Sequence, residues 1–247
     1  MHLILITGDL HGEIDVAKLT HKSPHRKALA QLTKDDYLII CGDFGFVWDG
    51  SATDRWWLRW LDKKPFTTLF IDGNHENHDL LDSYPVTRWN GGDVHKIMPS
   101  VYHLMRGQVF TLEGKKFFTM GGAMSHDIEC RVEGKSWWRR ELPSLEEYRT
   151  AWKNLEENDW EVDYVITHSM PGWLLDELDM LEIYYPTELN SFFSSISEKL
   201  TFKRWYSGHY HVDGVVPAHK KYRFIYNDIV RVCPESERIA GNERQAV

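Results

Sequence analysis

The stretch LFIDGNHENHD, residues 69–79, carries an apolar run directly into a cluster of Asp, Asn, His and Glu with a glycine inside it. Its first half belongs to FTTLFIDGN (66–74), a β-branched and aromatic run of the kind that forms a strand buried on both faces. Its second half supplies Asp72, Asn74, His75, Glu76, His78 and Asp79, residue types that bind cations or move protons. In α/β proteins ligands gather at the carboxyl ends of the strands. A strand that stops in such a cluster therefore points to a fold class and to the edge that carries the chemistry.

The rest of the chain repeats the pattern. HLILITGD (2–9), DYLIICGD (36–43), VDYVITH (162–168) and FKRWYSGH (202–209) read as further buried strands ending in Gly, Asp or His. Between them PHRKALAQL (24–32), TDRWWLRWLDKK (53–64) and SLEEYRTAWKNLEEN (144–158) read as helices. The last opens on Ser144 with Glu147 three residues on, a capping box. GQVFTLEG and KKFFTMGG meet at Glu113-Gly114 as a hairpin, and YRFIYNDIV (222–230) adds one more strand, so the sheet is expected to be mixed.

Composition narrows the function classes. At 247 residues, 42% apolar and 27% charged, the chain suits one globular domain over 1–233 with a polar tail at 234–247. Apolar runs such as LILI and YLII fall far short of the roughly 18 residues of a membrane span. The N-terminus has no secretory-signal pattern, which makes the cytoplasm the expected compartment. Cys41, Cys130 and Cys233 lack CxxC spacing and read as free thiols. A net charge of −8 argues against bulk nucleic-acid or anionic-membrane binding, so an anionic substrate needs a local attractor. Oligomeric state is not legible.

Five strand ends carry metal-binding chemistry: Asp9 and His11, then Asp43, then Asn74 and His75, then His168, then His209 and His211. Any one is an ordinary turn residue or satisfied histidine. Five together are not ordinary. HENH is not the HExxH of zinc proteases, because His75 and His78 are three apart rather than four, and His78 reads as a solvated or helix-start residue. No GxxxxGK[ST] phosphate loop is present.

The ordered series GDLHG, GD (42–43), GNHE (73–76), THS and GHYH (208–211) resembles the calcineurin-like metallophosphoesterases, of bacterial or phage type, over residues 8–211. The resemblance implies an α/β four-layer sandwich, two mixed sheets flanked by helices, with a dinuclear metal centre at the strand ends. Carried over by motif, Asp9, His11, Asp43 and His211 would hold one ion, and Asp43, Asn74, His168 and His209 the other, with Asp43 bridging. His75 would stand beside the leaving-group oxygen as the catalytic acid. The protein phosphatase branch reads GDxxDRG, whereas this chain reads GDFGFVW, with Phe46 and Val47 at the places of its second Asp and its Arg. Asp72 or a backbone carbonyl is the candidate to orient His75 instead.

Chemistry accounts for the residue types independently. Two cations about 3.5–4 Å apart can lower the pKa of a water, neutralise phosphoryl charge and template an in-line displacement. Asn74 adds a neutral donor that does not repel an anionic substrate. Nitrogen and oxygen ligands without thiolate fit manganese, iron, zinc, cobalt or nickel better than calcium. The segment 121–141 is a possible substrate-facing insertion; from His126 to Glu141 it balances four acidic against four basic residues, packed by Trp137 and Trp138, and offers Arg131 as a bidentate phosphate contact. Trp56, Trp57 and Trp60 read as core and helix-face residues. The expected function is hydrolysis of a phosphate ester by a metal-bridging hydroxide. Two alternatives stay open: a phosphodiesterase on a cyclic nucleotide, dinucleotide or RNA end, and a scaffold of the same fold without catalysis.

Overall fold

A computed structural model describes residues 2–232; the polar tail 234–247 and Cys233 lie outside the described residues. In chain order the strands are β1 (Ile4–Thr7), β2 (Tyr37–Cys41), β3 (Thr67–Ile71), β4 (Val86–Trp89), β5 (Gly92–Met98), β6 (Val101–Leu104), β7 (Gln108–Leu112), β8 (Lys115–Met120), β9 (Tyr164–Thr167), β10 (Arg204–Ser207), β11 (Gly214–Val215), β12 (Tyr222–Phe224) and β13 (Ile229–Arg231). The helices are α1 (Arg26–Leu29), α2 (Ala52–Asp62), α3 (His78–Asp82), α4 (Leu145–Glu157), α5 (Gly172–Glu177) and α6 (Glu188–Lys199).

The strands form two mixed sheets. One runs β13-β1-β2-β3-β6-β5-β4, the other β11-β12-β10-β9-β8-β7. Their centres are parallel, β1-β2-β3-β6 and β8-β9-β10-β12, and antiparallel strands finish the edges. Every strand end singled out in the sequence thus faces the same way within its sheet.

Period-two alternation sorts the side chains into layers. Leu5, Leu38, Ile40 and Phe70 point out to Leu29 of α1 and Leu58 and Leu61 of α2. Their neighbours Ile4, Ile6, Ile39, Cys41, Leu69 and Ile71 point inward, against Phe117, Tyr164, Ile166 and Tyr206 of the other sheet. Phe118, Met120, Val165 and Trp205 on that sheet's far face meet Ala151 and Leu155 of α4, Leu174 of α5 and Phe193 of α6. The result is the expected α-β-β-α sandwich.

Local signals held where their chemistry is specific. Ser144 accepts from the Glu147 amide and Glu147 reaches back to the cap, completing the capping box of α4. Glu113 (φ 49°) and Gly114 (φ 73°) both take left-handed conformations between β7 and β8, as a two-residue hairpin turn requires. Two expectations change. The 24–32 helix shortens to the single turn of α1, and the 222–230 strand divides into β12 and β13, one in each sheet. Asn227 and Asp228 make the break: their amides, with that of Tyr226, donate to the Asp213 carboxylate, which turns the chain from one sheet to the other.

Phe117 is fully buried between the sheets. Phe117→Ala is expected to cost about 3–5 kcal/mol through lost transfer energy and the cavity left behind. A denaturant midpoint within error of wild type would show that this layer is not a close-packed interface.

Candidate metal centre

Loops after β1, β2 and β3 of one sheet and after β9 and β10 of the other converge where the parallel strands end. They bring Asp9, His11, Asp43, His75, His168, His209 and His211 into three overlapping groups: Asp9-His11-His211, His11-Asp43-His75 and Asp43-His168-His209. Ligand atoms in each group lie within 4.8 Å of one another.

Asp43 stands at the centre. Its Oδ2 is 3.1 Å from His11 Nε2, and its Oδ1 is 3.3 Å from His168 Nε2 while accepting the His75 amide at 2.8 Å. The two oxygens therefore face two different sets of donors. Asp9 accepts the His209 amide and lies 3.4 Å from His211 Nε2. Asn74 turns its Oδ1 to His168 Nε2 at 3.2 Å and its amide nitrogen to Ser125 Oγ at 3.1 Å.

The backbone is strained to achieve this. His11, Asp43, His209 and His211 all have positive φ, four of the nine described non-glycine residues that do. Strain of this kind persists only where surrounding structure over-determines it, and here it concentrates on the candidate ligands. Gly42 (φ +92°) shows why no side chain precedes Asp43: a Cβ there would lie 2.1 Å from His168 Nδ1.

Two of the imidazoles, those of His11 and His168, have their orientation fixed from behind. His11 Nδ1 meets Asp15 Oδ2 at 2.7 Å, and His168 Nδ1 meets the Cys41 carbonyl at 2.7 Å. That leaves each Nε2 lone pair pointing at the site, the arrangement that backs metal-binding histidines. Burial opposes charge throughout, yet Asp43 is held well below the usual carboxylate range by His168 and His11. Burial pulls His11 and His168 down, but Asp43 draws them up to about 9 and about 10. For His209 burial prevails and lowers it well below 6.5. The donor set is nitrogen and oxygen only, with anionic charge at its buried centre, and it fits divalent cations competing with protons for the same lone pairs.

His75 is half-buried beside this cluster. Burial and the nearby cationic groups, Arg131 among them, lower its pKa against the pull of Asp43. Nη1 and Nη2 of Arg131 each lie 3.5 Å from one of its ring nitrogens, guanidinium alongside imidazole. Arg131 is itself held by Asp127 at 2.7 Å and by the Ser136 carbonyl. Asp72 does not orient His75. Its carboxylate is taken by Arg106 Nε and Nη2 and by His103, and among the described residues no carboxylate hydrogen-bonds the His75 ring. His78 does begin α3, but it is buried rather than solvated, and burial pushes it down to about 3.

Sequence reasoning missed Asp15, Ser125, Glu76 and the Cys41 carbonyl. Asp15, four residues after His11, was the one with a readable spacing. Glu76 accepts the Phe44 and Gly45 amides and so pins the loop that carries Asp43. In 121–141, Glu141 accepts the amides of Ser125 and Trp138, and the buried Trp138 donates its indole N–H to Asp79. Trp138 therefore packs the segment, as read, while Arg131 reaches the site.

The chain belongs to the calcineurin-like phosphoesterase family, hydrolases of phosphoester bonds, whose model matches residues 2–213. It is similar to the lariat debranching enzyme of Homo sapiens, 24% identical over 245 residues covering 85% of this chain and 42% of that protein. Those of Caenorhabditis briggsae (25%; 72% of this chain, 40% of the relative) and Schizosaccharomyces pombe (26%; 63% and 36%) are similar too. The chain spans less than half the length of these curated relatives.

Burial pushes the Glu141 carboxyl up to about 7 against the bonds from Ser125 and Trp138. A raised native pKa means the folded state holds this proton more tightly than the unfolded chain does. Its contribution to stability is complete below the unfolded value of roughly 4.3 and is lost as pH rises through about 7. Glu141→Gln keeps an acceptor for both amides and is expected to remove this slope. At constant metal content, its melting temperature relative to wild type should rise from about pH 5 to about pH 8; parallel curves would contradict it.

Proposed function

We propose that this chain is a metal-dependent phosphoesterase in which Asp9, His11, Asp43 and His211 hold one divalent ion and Asp43, Asn74, His168 and His209 a second. The observation that carries the reading is the buried Asp43, whose two oxygens address opposite halves of the histidine cluster. When bound, such ions neutralise phosphoryl charge and supply a water of lowered pKa. Manganese, iron, zinc, cobalt and nickel all suit these ligands.

The chain's own residues do the rest. His75, beside Asp43 but outside the proposed ligand set, delivers a proton to the departing oxygen. Arg131 offers its guanidinium to the non-bridging oxygens, which a planar fork matches bidentately. The 121–141 segment faces substrate and belongs with 1–233 as one domain. The pairing of His75 with Arg131 beside an intact ligand set favours catalysis over a scaffold role. A phosphodiester is the second reading, favoured by relatives named for lariat debranching.

Asp43→Asn is expected to abolish turnover and to weaken both ion sites together, read by metal analysis after gel filtration. Normal turnover with two ions bound would rule out the bridging role. His75→Ala should keep its metals and lose roughly 100- to 10,000-fold in rate on alkyl esters, and less on p-nitrophenyl phosphate, whose leaving group needs little help. Equal losses on both substrates with chemistry rate-limiting, or a lost ion, would remove His75 from that role.

A further inference from the structure

A groove opens on the face formed by α1, α2 and the turn of 3-10 helix at Val16–Leu19. Its near stretch, about 550 Å³, is lined by Glu13, Lys22, Trp57 and Trp60 among others. Its far stretch, about 430 Å³, is lined by Arg26, Lys27 and an apolar floor that includes Leu29 and Phe66. Thr20, His21 and Lys64 border both, so the two stretches are continuous. Each is large enough for a nucleotide-sized group.

The charge of this groove opposes that of the protein. Against a net charge of −8 overall, it is lined by Lys22, Arg26, Lys27 and Lys64 and by one carboxylate, Glu13. Glu13 accepts the Trp57 indole N–H. Among the described residues no ion pair or side-chain hydrogen bond occupies Lys22, Arg26 or Lys27, all exposed. Lys64 lies 3.6 Å over the Trp60 ring and donates to the Leu19 carbonyl. Trp57 and Trp60 stand nearly perpendicular, 5.1 Å apart, and both are half-exposed. Helix-face packing explains their buried edges, against Phe46 and the outer core. It does not explain why the unpaired Lys22 lines the same stretch, or why Arg26 and Lys27 carry the positive charge on into the next.

The near end starts two residues beyond His11, at the Glu13–Trp57 bond. We propose that this groove binds a single-stranded nucleic-acid segment leading to the metal centre, Lys22, Arg26, Lys27 and Lys64 meeting phosphates and Trp57 and Trp60 offering their exposed aromatic surface to bases. Cations tracking a backbone beside aromatic platforms are what sequence-tolerant single-strand binding needs. The overall negative charge keeps other surfaces from competing, and so confines binding to one track. The proposal rests on the phosphoesterase reading only in placing the scissile bond at the metal centre.

The test uses the metal-loaded His75→Ala protein, slowed in turnover, with oligothymidine or oligouridine of about twelve nucleotides and tryptophan fluorescence as readout. Binding is expected with a log K against log salt slope of roughly −2 to −3, for three or four phosphates met. Lys22→Glu, Arg26→Glu and Lys27→Glu together should weaken it at least tenfold. The same triple variant with His75 intact should hydrolyse bis(p-nitrophenyl) phosphate at the wild-type rate, which also shows that it folds. No binding at low salt, binding insensitive to the triple variant, or equal affinity for a duplex overturns the proposal. Equal affinity for inorganic polyphosphate, which has no bases, overturns the nucleic-acid assignment. Loss of small-diester hydrolysis in the triple variant also overturns it, because the groove would then be part of the catalytic framework. Failure of oligonucleotide binding with small-diester hydrolysis intact leaves the phosphoesterase reading standing.

Discussion

A carboxylate removed from water must be paired, and Asp43 sits almost wholly buried where the two sheets' strand ends meet. Leaving it uncompensated would cost several kcal/mol. Its partners come from both sheets: His11 and the His75 amide from one, His168 from the other. The charge therefore ties the two halves of the sandwich at the edge where their parallel strands end. Left-handed backbone at His11, Asp43, His209 and His211, and the missing side chain at Gly42, are the local consequences of bringing those partners close.

A second buried carboxylate works behind the same loop. Asp72 is held by a two-nitrogen grip from Arg106 and by His103, which in turn meets His95 at 3.0 Å. Asp72 and the buried His78 bracket the turn that presents Asn74 and His75, and Glu76 within that turn anchors the Asp43 loop through the Phe44 and Gly45 amides. The GNHE turn is thus fixed from below by an ion pair, and laterally to the neighbouring turn. Groups so constrained reach a reacting geometry without first losing conformational freedom.

What was legible follows from how local each signal is. Continuous apolar strands with polar ends, the Ser144/Glu147 cap and the Glu113-Gly114 turn depend on neighbours in sequence, and they read correctly. The α6 helix went unread because its body holds Ser191, Ser194, Ser195 and Ser197, poor helix formers in isolation. Three of these bond back to carbonyls four residues earlier, and its Thr187/Asn190 box replaces the usual Glu or Gln. The division of 222–230 between sheets depends on Asp213, which is remote in sequence. For the same reason the residues that position the candidate ligands stayed hidden: Cys41 meets His168 through a carbonyl, which every residue has.

The 121–141 segment shows how a surface stretch can be ordered without a large core. Glu141 ties its two ends by accepting from Ser125 and Trp138, while Asp127 and the Ser136 carbonyl hold Arg131 from within the segment. Two of its groups then hydrogen-bond across to the centre, Ser125 to Asn74 and Arg131 to His75, and the His126 ring stands 6.2 Å from that of His209. Because the segment's own bonds fix Arg131, a phosphate arriving there would meet a guanidinium already in place, and less rotamer entropy would be lost on contact. The same bonds explain how a stretch with equal numbers of acids and bases can still turn a cation toward the candidate site: Asp127 takes Nε, and the two terminal nitrogens lie toward His75.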